Sequence, residues 1–208
     1  MNFADKNGQI TTNSKDDVLH PGSRILFRYW ERLRAERDCP NRIEFKLNDV
    51  KDVIPNLFIW TRDIANNGFR YHLSGTAVDR LNCMTMTGKD VFIGWDNFER
   101  DAMLRVFHAA YSKQQPALVR MRLFTGLNEI IGAELVALPF RSQKSREIEL
   151  LGGMFPFTEL DRLAIDRIAY RQLVTARTIW TEHVAEHAPE QPLGMKSPFR
   201  VIQGGLTH

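Results

Sequence analysis

Apolar positions along the chain switch between two periods. Leu26, Tyr29, Trp30 and Leu33 recur at i, i+3, i+4, i+7 behind Pro21, the pattern of an amphipathic helix with proline in its first turn. That helix is expected to stop near Cys39, because Pro40 disfavours helix in the residue before it. Residues 43–54 alternate irregularly and read as a connecting segment. After Pro55 the period becomes two. Residues 57–64 are rich in β-branched and aromatic side chains, and Asn66-Asn67-Gly68 is a hairpin turn signal. Beyond it, Phe69, Tyr71 and Leu73 alternate with Arg70 and His72.

Residues 76–94 read as short helical turns broken at Gly88 and Gly94. Asp96 and Glu99 form a capping pair, and Met103, Val106, Phe107 and Ala110 give the next helix one apolar face until Gln114-Gln115-Pro116 ends it. Three strand-like runs follow at 117–124, 132–141 and 148–157. Thr158 and Asp161 can cap a final helix to about His187, with Ile165, Ala169, Leu173, Ala176, Trp180 and Val184 on one stripe. The expected organisation is a flexible arm at 1–19, a core domain with its N-terminal helix at 20–157, a C-terminal helix at 158–187 and a tail at 188–208.

The loops between the last three strands are too short for crossovers, so those strands pair antiparallel. The fold class is α+β, a five-stranded antiparallel sheet with helices on one face. The run 134–140 is apolar on both sides, with Leu135 and Ala137 on one and Val136, Leu138 and Phe140 on the other. Both faces of that strand are therefore buried. The internal helices cover one face, and the N-terminal helix with Trp30, or a second copy of the chain, covers the other.

Composition narrows the class without naming a partner. With 208 residues, 43% apolar and 25% charged, the chain can bury one good core. The net charge of +3 is spread evenly, without the basic stripe of a nucleic-acid binder. No apolar run reaches membrane-span length, and residues 1–17 do not resemble a secretory leader. Cys39 and Cys83 form neither a disulfide framework nor a zinc spacing, which fits a reducing cytoplasm.

The order of elements resembles a PAS domain and, more narrowly, a family of bacterial standalone PAS-like proteins. The segments that carry the likeness are Tyr29-Trp30-Glu31-Arg32-Leu33-Arg34, Ile54-Pro55-Asn56-Leu57-Phe58-Ile59, Phe69-Arg70-Tyr71-His72-Leu73-Ser74-Gly75-Thr76 and Thr87-Gly88-Lys89-Asp90. Leu138-Pro139-Phe140 and Gly152-Gly153 also fit, and the likeness covers about residues 24–157. The resemblance implies a sensory and interaction module rather than an enzyme. It would act in bacterial signal transduction through contact with a signalling protein, dimerise, and be open to a small-molecule ligand between the sheet and the longer helix.

Candidate chemistry is sparse. A ligand pocket would be lined by Trp60, Tyr71, Leu73, Phe92, Met103, Phe107, Met121 and Leu135, which could equally fill a dry core. Tyr29, Trp30, Leu33 and Trp180 are candidate dimer or partner contacts. No cofactor is expected. The alternative is haem held by His108, although the helical arc of apolar residues leaves His108 outside it. Asn82-Cys83 lacks the continuation of a flavin-binding motif, and Cys83 reads as a small buried residue. His183 and His187 have a metal-compatible spacing but no third ligand near in sequence. Arg120 and Arg122 can hold an anion or form a solvated sheet edge. As an alternative function, an isomerase or hydratase-like enzyme would use an acid or base in the pocket, with Asp63 and His72 nearest to hand.

Overall fold

The computed structural model describes residues 18–143, 147–159 and 167–179. Helix α1 spans Pro21–Arg34 and is followed by 3-10 segments at Arg42–Glu44 and Leu47–Asn56. Strands β1 (Leu57–Asp63) and β2 (Gly68–Ser74) form the hairpin, and α2 (Thr76–Asn82) and α3 (Asn97–Lys113) cross over to β3 (Ala117–Thr125). Strands β4 (Ile130–Arg141), β5 (Ile148–Pro156) and β6 (Ile168–Thr178) complete an antiparallel sheet of order β2-β1-β5-β4-β3-β6.

Local chemistry sets the element ends. The Asp96 carboxylate accepts the Glu99 N–H at 2.9 Å and starts α3, and Gln114 in the left-handed region (φ 53°) stops it before Pro116. Helix α1 ends earlier than the proline rule suggests, because Ala35 takes a positive φ of 49° while its N–H returns to the Glu31 carbonyl. The irregular segment before β1 is a 3-10 helix kinked at Val50. At the hairpin tip Asn67 has a φ of 46°, the conformation that asparagine tolerates.

The largest departure is at the C-terminal end. The expected helix at 158–187 is replaced over 168–178 by strand β6, paired antiparallel with β3 from Thr125 to Ala117. Without β6, β3 would present an unpaired row of N–H and C=O groups. Val174, Thr175 and Thr178 are β-branched and suit that pairing. The i, i+4 stripe is real in the sequence, but the free edge overrides it. Residues 160–166 and 180–187 lie outside the described residues, and so do Trp180, His183, His187 and the expected tail. Of the expected arm, residues 1–17 also lie outside them. Its last two residues are anchored: Val18 is buried, and the Leu19 N–H reaches Glu134.

Both faces of β4 are buried, as its two-sided apolar pattern requires. On the inner face Leu135 and Ala137 meet α3 and the crossover. On the outer face α1 lies over β4 and β5. Trp30 is fully buried there, and its indole N–H donates to the Pro139 carbonyl at 2.7 Å, beyond the end of the β3 ladder. Tyr29 is buried beside it and its hydroxyl donates to Asp49 at 3.0 Å. Tyr29 and Trp30, expected at a partner contact, are therefore part of the chain's own core, and Leu33 packs half-buried against it. Close approach of α1 to β5 depends on small residues: a Cβ on Gly153 would press on Phe155 and on Leu26 at 2.9 Å.

Glu134 anchors the start of α1. It is fully buried on the outer face. Its carboxylate accepts the Leu19 N–H at 3.2 Å, the His20 N–H at 2.9 Å and the Arg120 Nε–H at 3.0 Å. His20 in turn caps α1, its Nδ1 accepting the Gly22 N–H at 3.0 Å while its ring stacks on Phe155.

Gly153→Val should lower unfolding stability by about 1–3 kcal/mol through overpacking, measured as a urea midpoint shift at constant slope. Glu134→Ala should cost roughly 3 kcal/mol, because it leaves Arg120 and two amides without their buried acceptor. Burial lowers the His20 pKa from its usual 6.5, partly offset by Glu134. The folded state therefore prefers neutral His20, and protonation removes the cap acceptor. Stability should fall as pH drops below about 6.5, a loss absent in His20→Asn on a urea-versus-pH series.

Candidate functional site

The inner face of the sheet, α3 and the crossover segment enclose a cavity of about 20 Å³, room for about one water molecule. Its walls are mostly aromatic and thioether side chains. Trp60 from β1 stacks on Phe58 at 4.1 Å between ring centres and meets Phe107 of α3 edge-on at 5.0 Å. Tyr71 from β2 meets Trp60 edge-on at 5.5 Å. Of the eight residues expected from the sequence, Trp60, Tyr71, Phe92, Met103, Phe107, Met121 and Leu135 line the cavity.

Leu73 does not. It is 45% exposed. The pairing of β1 with β2 slips between Ile59 and Trp60, so that Ile59 faces Leu73, Trp60 faces Tyr71 and His72 is the extra residue. A bulge of this kind breaks the alternation of sides. Strict period-two counting from Tyr71 therefore carries Leu73 to the wrong face.

The polar part of the cavity was not legible as such. Arg171 of β6 is 7% exposed and sits opposite Leu123 on the inner face. Its guanidinium donates to the Gly94 carbonyl at 3.2 Å and to Asn82 Oδ1 at 3.3 Å. Both acceptors are neutral. Asn82 is itself oriented by donating to the Val78 carbonyl at 2.8 Å. Gly94 has a φ of +79°, and the guanidinium occupies the place a Cβ would take there. Among the described residues, no carboxylate forms an ion pair with Arg171; its electrostatic neighbours Tyr71 and Cys83 are a phenol and a thiol. Burial pulls the Arg171 pKa down and pushes the Tyr71 phenol well above its usual range, so Tyr71 stays neutral. The buried Trp60 indole N–H, also in the wall, approaches the Tyr71 hydroxyl but makes no hydrogen bond of close geometry.

Arg171 is not legible as a buried strand residue because its stretch also carries an apolar helical period. The β-branched cluster Val174-Thr175 and the Thr178-Ile179 pair carried the strand signal.

Other sequence candidates fall elsewhere. His108 lies on the outer side of α3, its Nε2 3.4 Å from the Asn67 carbonyl and its ring tilted on Phe69, away from the cavity lining. Asp63 pairs with Arg70 at 2.7 Å on the hairpin surface, where hydrogen bonds from Asn66 and Arg70 lower its pKa. His72 is exposed in the bulge. Neither joins the cavity. Cys83, expected to be buried, is exposed in the left-handed position (φ 56°) that ends α2. Arg120 and Arg122 lie on an interior strand rather than a sheet edge, and Arg120 is engaged by Glu134. Among the described residues, no cluster of three or more His, Cys, Asp or Glu side chains could hold a metal, and no helix is long and apolar enough to cross a membrane.

No curated protein matches the chain. The PAS domain family profile matches residues 18–155, from the residue ahead of the α1 anchor to the penultimate residue of β5. With the antiparallel sheet and the crossover helices that close a cavity on its inner face, that match shows that the chain belongs to the PAS domain family.

Proposed function

We propose that the protein is a sensory module of bacterial signal transduction. In this reading it works in the cytoplasm and without catalysis. Occupancy of the inner cavity sets how α3 and β6 pack, and a protein partner reads the result on the outer face. The observation that carries this is the composition of the cavity wall. An aromatic and thioether lining surrounds a buried arginine and an indole N–H that makes no close hydrogen bond. A core that served packing alone would gain from apolar groups at those two positions. Met103, Met121 and Met154 in the same wall are unbranched and can repack to admit more than one water.

The partner half of the reading rests on the outer face, where α1 covers β4 and β5 and, among the described residues, no helix packs over β3 and β6. Phe124 pairs with Ile130 and with Tyr170, its ring 5.6 Å from that of Tyr170. Ile130, Tyr170 and nearby Phe157 are each about half exposed or more. This apolar strip, rather than Tyr29 and Trp30, is the surface we assign to self-association or partner docking.

Native mass spectrometry of the purified protein should show the 24.1 kDa chain with an added mass lost on collisional activation, or a doubled mass carrying it. A bare chain mass in every preparation, with no visible absorption band, would remove the ligand half and leave a docking module. Ile130→Glu with Tyr170→Glu should convert a doubled mass to a single one by light scattering, with stability changed by less than about 0.5 kcal/mol. Persistence of the doubled mass would place the interface elsewhere.

A further inference from the structure

Resting on that reading of the cavity, we infer that its ligand is a small monocarboxylate, its carboxylate held by Arg171 and the Trp60 indole N–H and its hydrocarbon end among the methionines.

The first ground is charge. A guanidinium that is 7% exposed and meets only neutral oxygens at 3.2 and 3.3 Å carries an uncompensated charge. Burying such a charge is costly unless an anion joins it. The described residues supply no carboxylate to it. The second ground is independent of charge. Trp60 is 1% exposed, and its Nε1–H makes no close hydrogen bond, only a loose approach to the Tyr71 hydroxyl, although buried indole donors ordinarily find a full partner. One acceptor group in the cavity would answer both. A planar carboxylate has two oxygens for a forked donor and matches a guanidinium better than a spherical ion does.

The remaining wall fixes the rest of the ligand. It is aromatic and thioether, so a second charge or a sugar would be left unsolvated, whereas a short alkyl chain would not. The resting cavity of about 20 Å³ admits little more than the head group. The chain of the ligand must therefore displace Met103, Met121 or Met154, and this movement couples occupancy to α3, to β5 and to β3, which pairs with β6. Arg171 stands on β6, beyond residues 18–155 that match the PAS profile.

The test uses the full ¹⁵N-labelled chain and the indole N–H signals of its four tryptophans, Trp60 being assigned by loss in Trp60→Phe. Sodium butyrate is titrated against butyramide, its neutral isostere, and against sodium chloride at equal ionic strength. The expected result is a saturable shift of the Trp60 signal with butyrate and at least tenfold weaker binding of butyramide. Arg171→Gln should weaken butyrate at least tenfold while the rest of its spectrum stays folded. Equal binding of butyramide, a shift reproduced by chloride, no saturation, or unchanged affinity in folded Arg171→Gln each overturns the proposal. If Arg171→Gln does not fold, the butyrate-to-butyramide ratio in the unmodified chain decides alone. Failure here together with a neutral adduct in the native mass spectrum would leave the sensory reading standing with an uncharged ligand.

Discussion

Strand β4 cannot face water on either side. Leu135 and Ala137 point one way, Val136, Leu138 and Phe140 the other, and all are buried. A sheet built around such a strand needs a layer over each face. The crossover between β2 and β3 supplies one layer through α3. Among the described residues the long amphipathic segment left is α1, and it supplies the other. Its attachment is specific at both ends: Glu134 gathers the amides ahead of it, and Trp30 donates to the Pro139 carbonyl. The two faces consequently have different characters. One is sealed by the chain's own N-terminal helix over β4 and β5, and the other closes imperfectly over a small cavity.

That cavity owes its chemistry to two irregularities in strand pairing. The bulge at His72 brings Tyr71 to the inner face opposite Trp60 and turns Leu73 to solvent. The slip of β6 against β3 between Arg120 and Met121 keeps Arg171 and Leu173 on the inner face. Glu99, in the first turn of α3, accepts the Leu173 N–H at 2.8 Å and so ties the helix over the cavity to the strand that carries the arginine. A change in the cavity that moved α3 would act on β6 through this bond. The outer strip on β3 and β6, with exposed Tyr170 and neighbouring Ile130 of β4, is the opposite face of the same strands. The cavity and the strip proposed for docking are thus separated by the thickness of one sheet.

The sequence by itself determined the helix from Pro21, the hairpin with its Asn66-Asn67-Gly68 turn, the Asp96-capped helix, three consecutive strands and the two-sided burial of β4. Each of these rests on a local period, a cap or a turn residue, whose physics lies within a few neighbours. Seven of eight expected cavity residues followed as well: Trp60, Tyr71, Met121 and Leu135 by alternation along strands, Met103 and Phe107 by the helical period of α3, and Phe92 from the crossover segment. Tertiary structure alone decided what depends on pairing. Period two fails at a bulge, so the place of Leu73 was fixed by its register with Ile59. The stretch at 168–178 carries both a helical stripe and β-branched residues, and the unpaired edge of β3 decided for strand. Arg171 became a buried cation only through that choice. A residue's burial and charge partners are properties of the assembled layers rather than of the chain order.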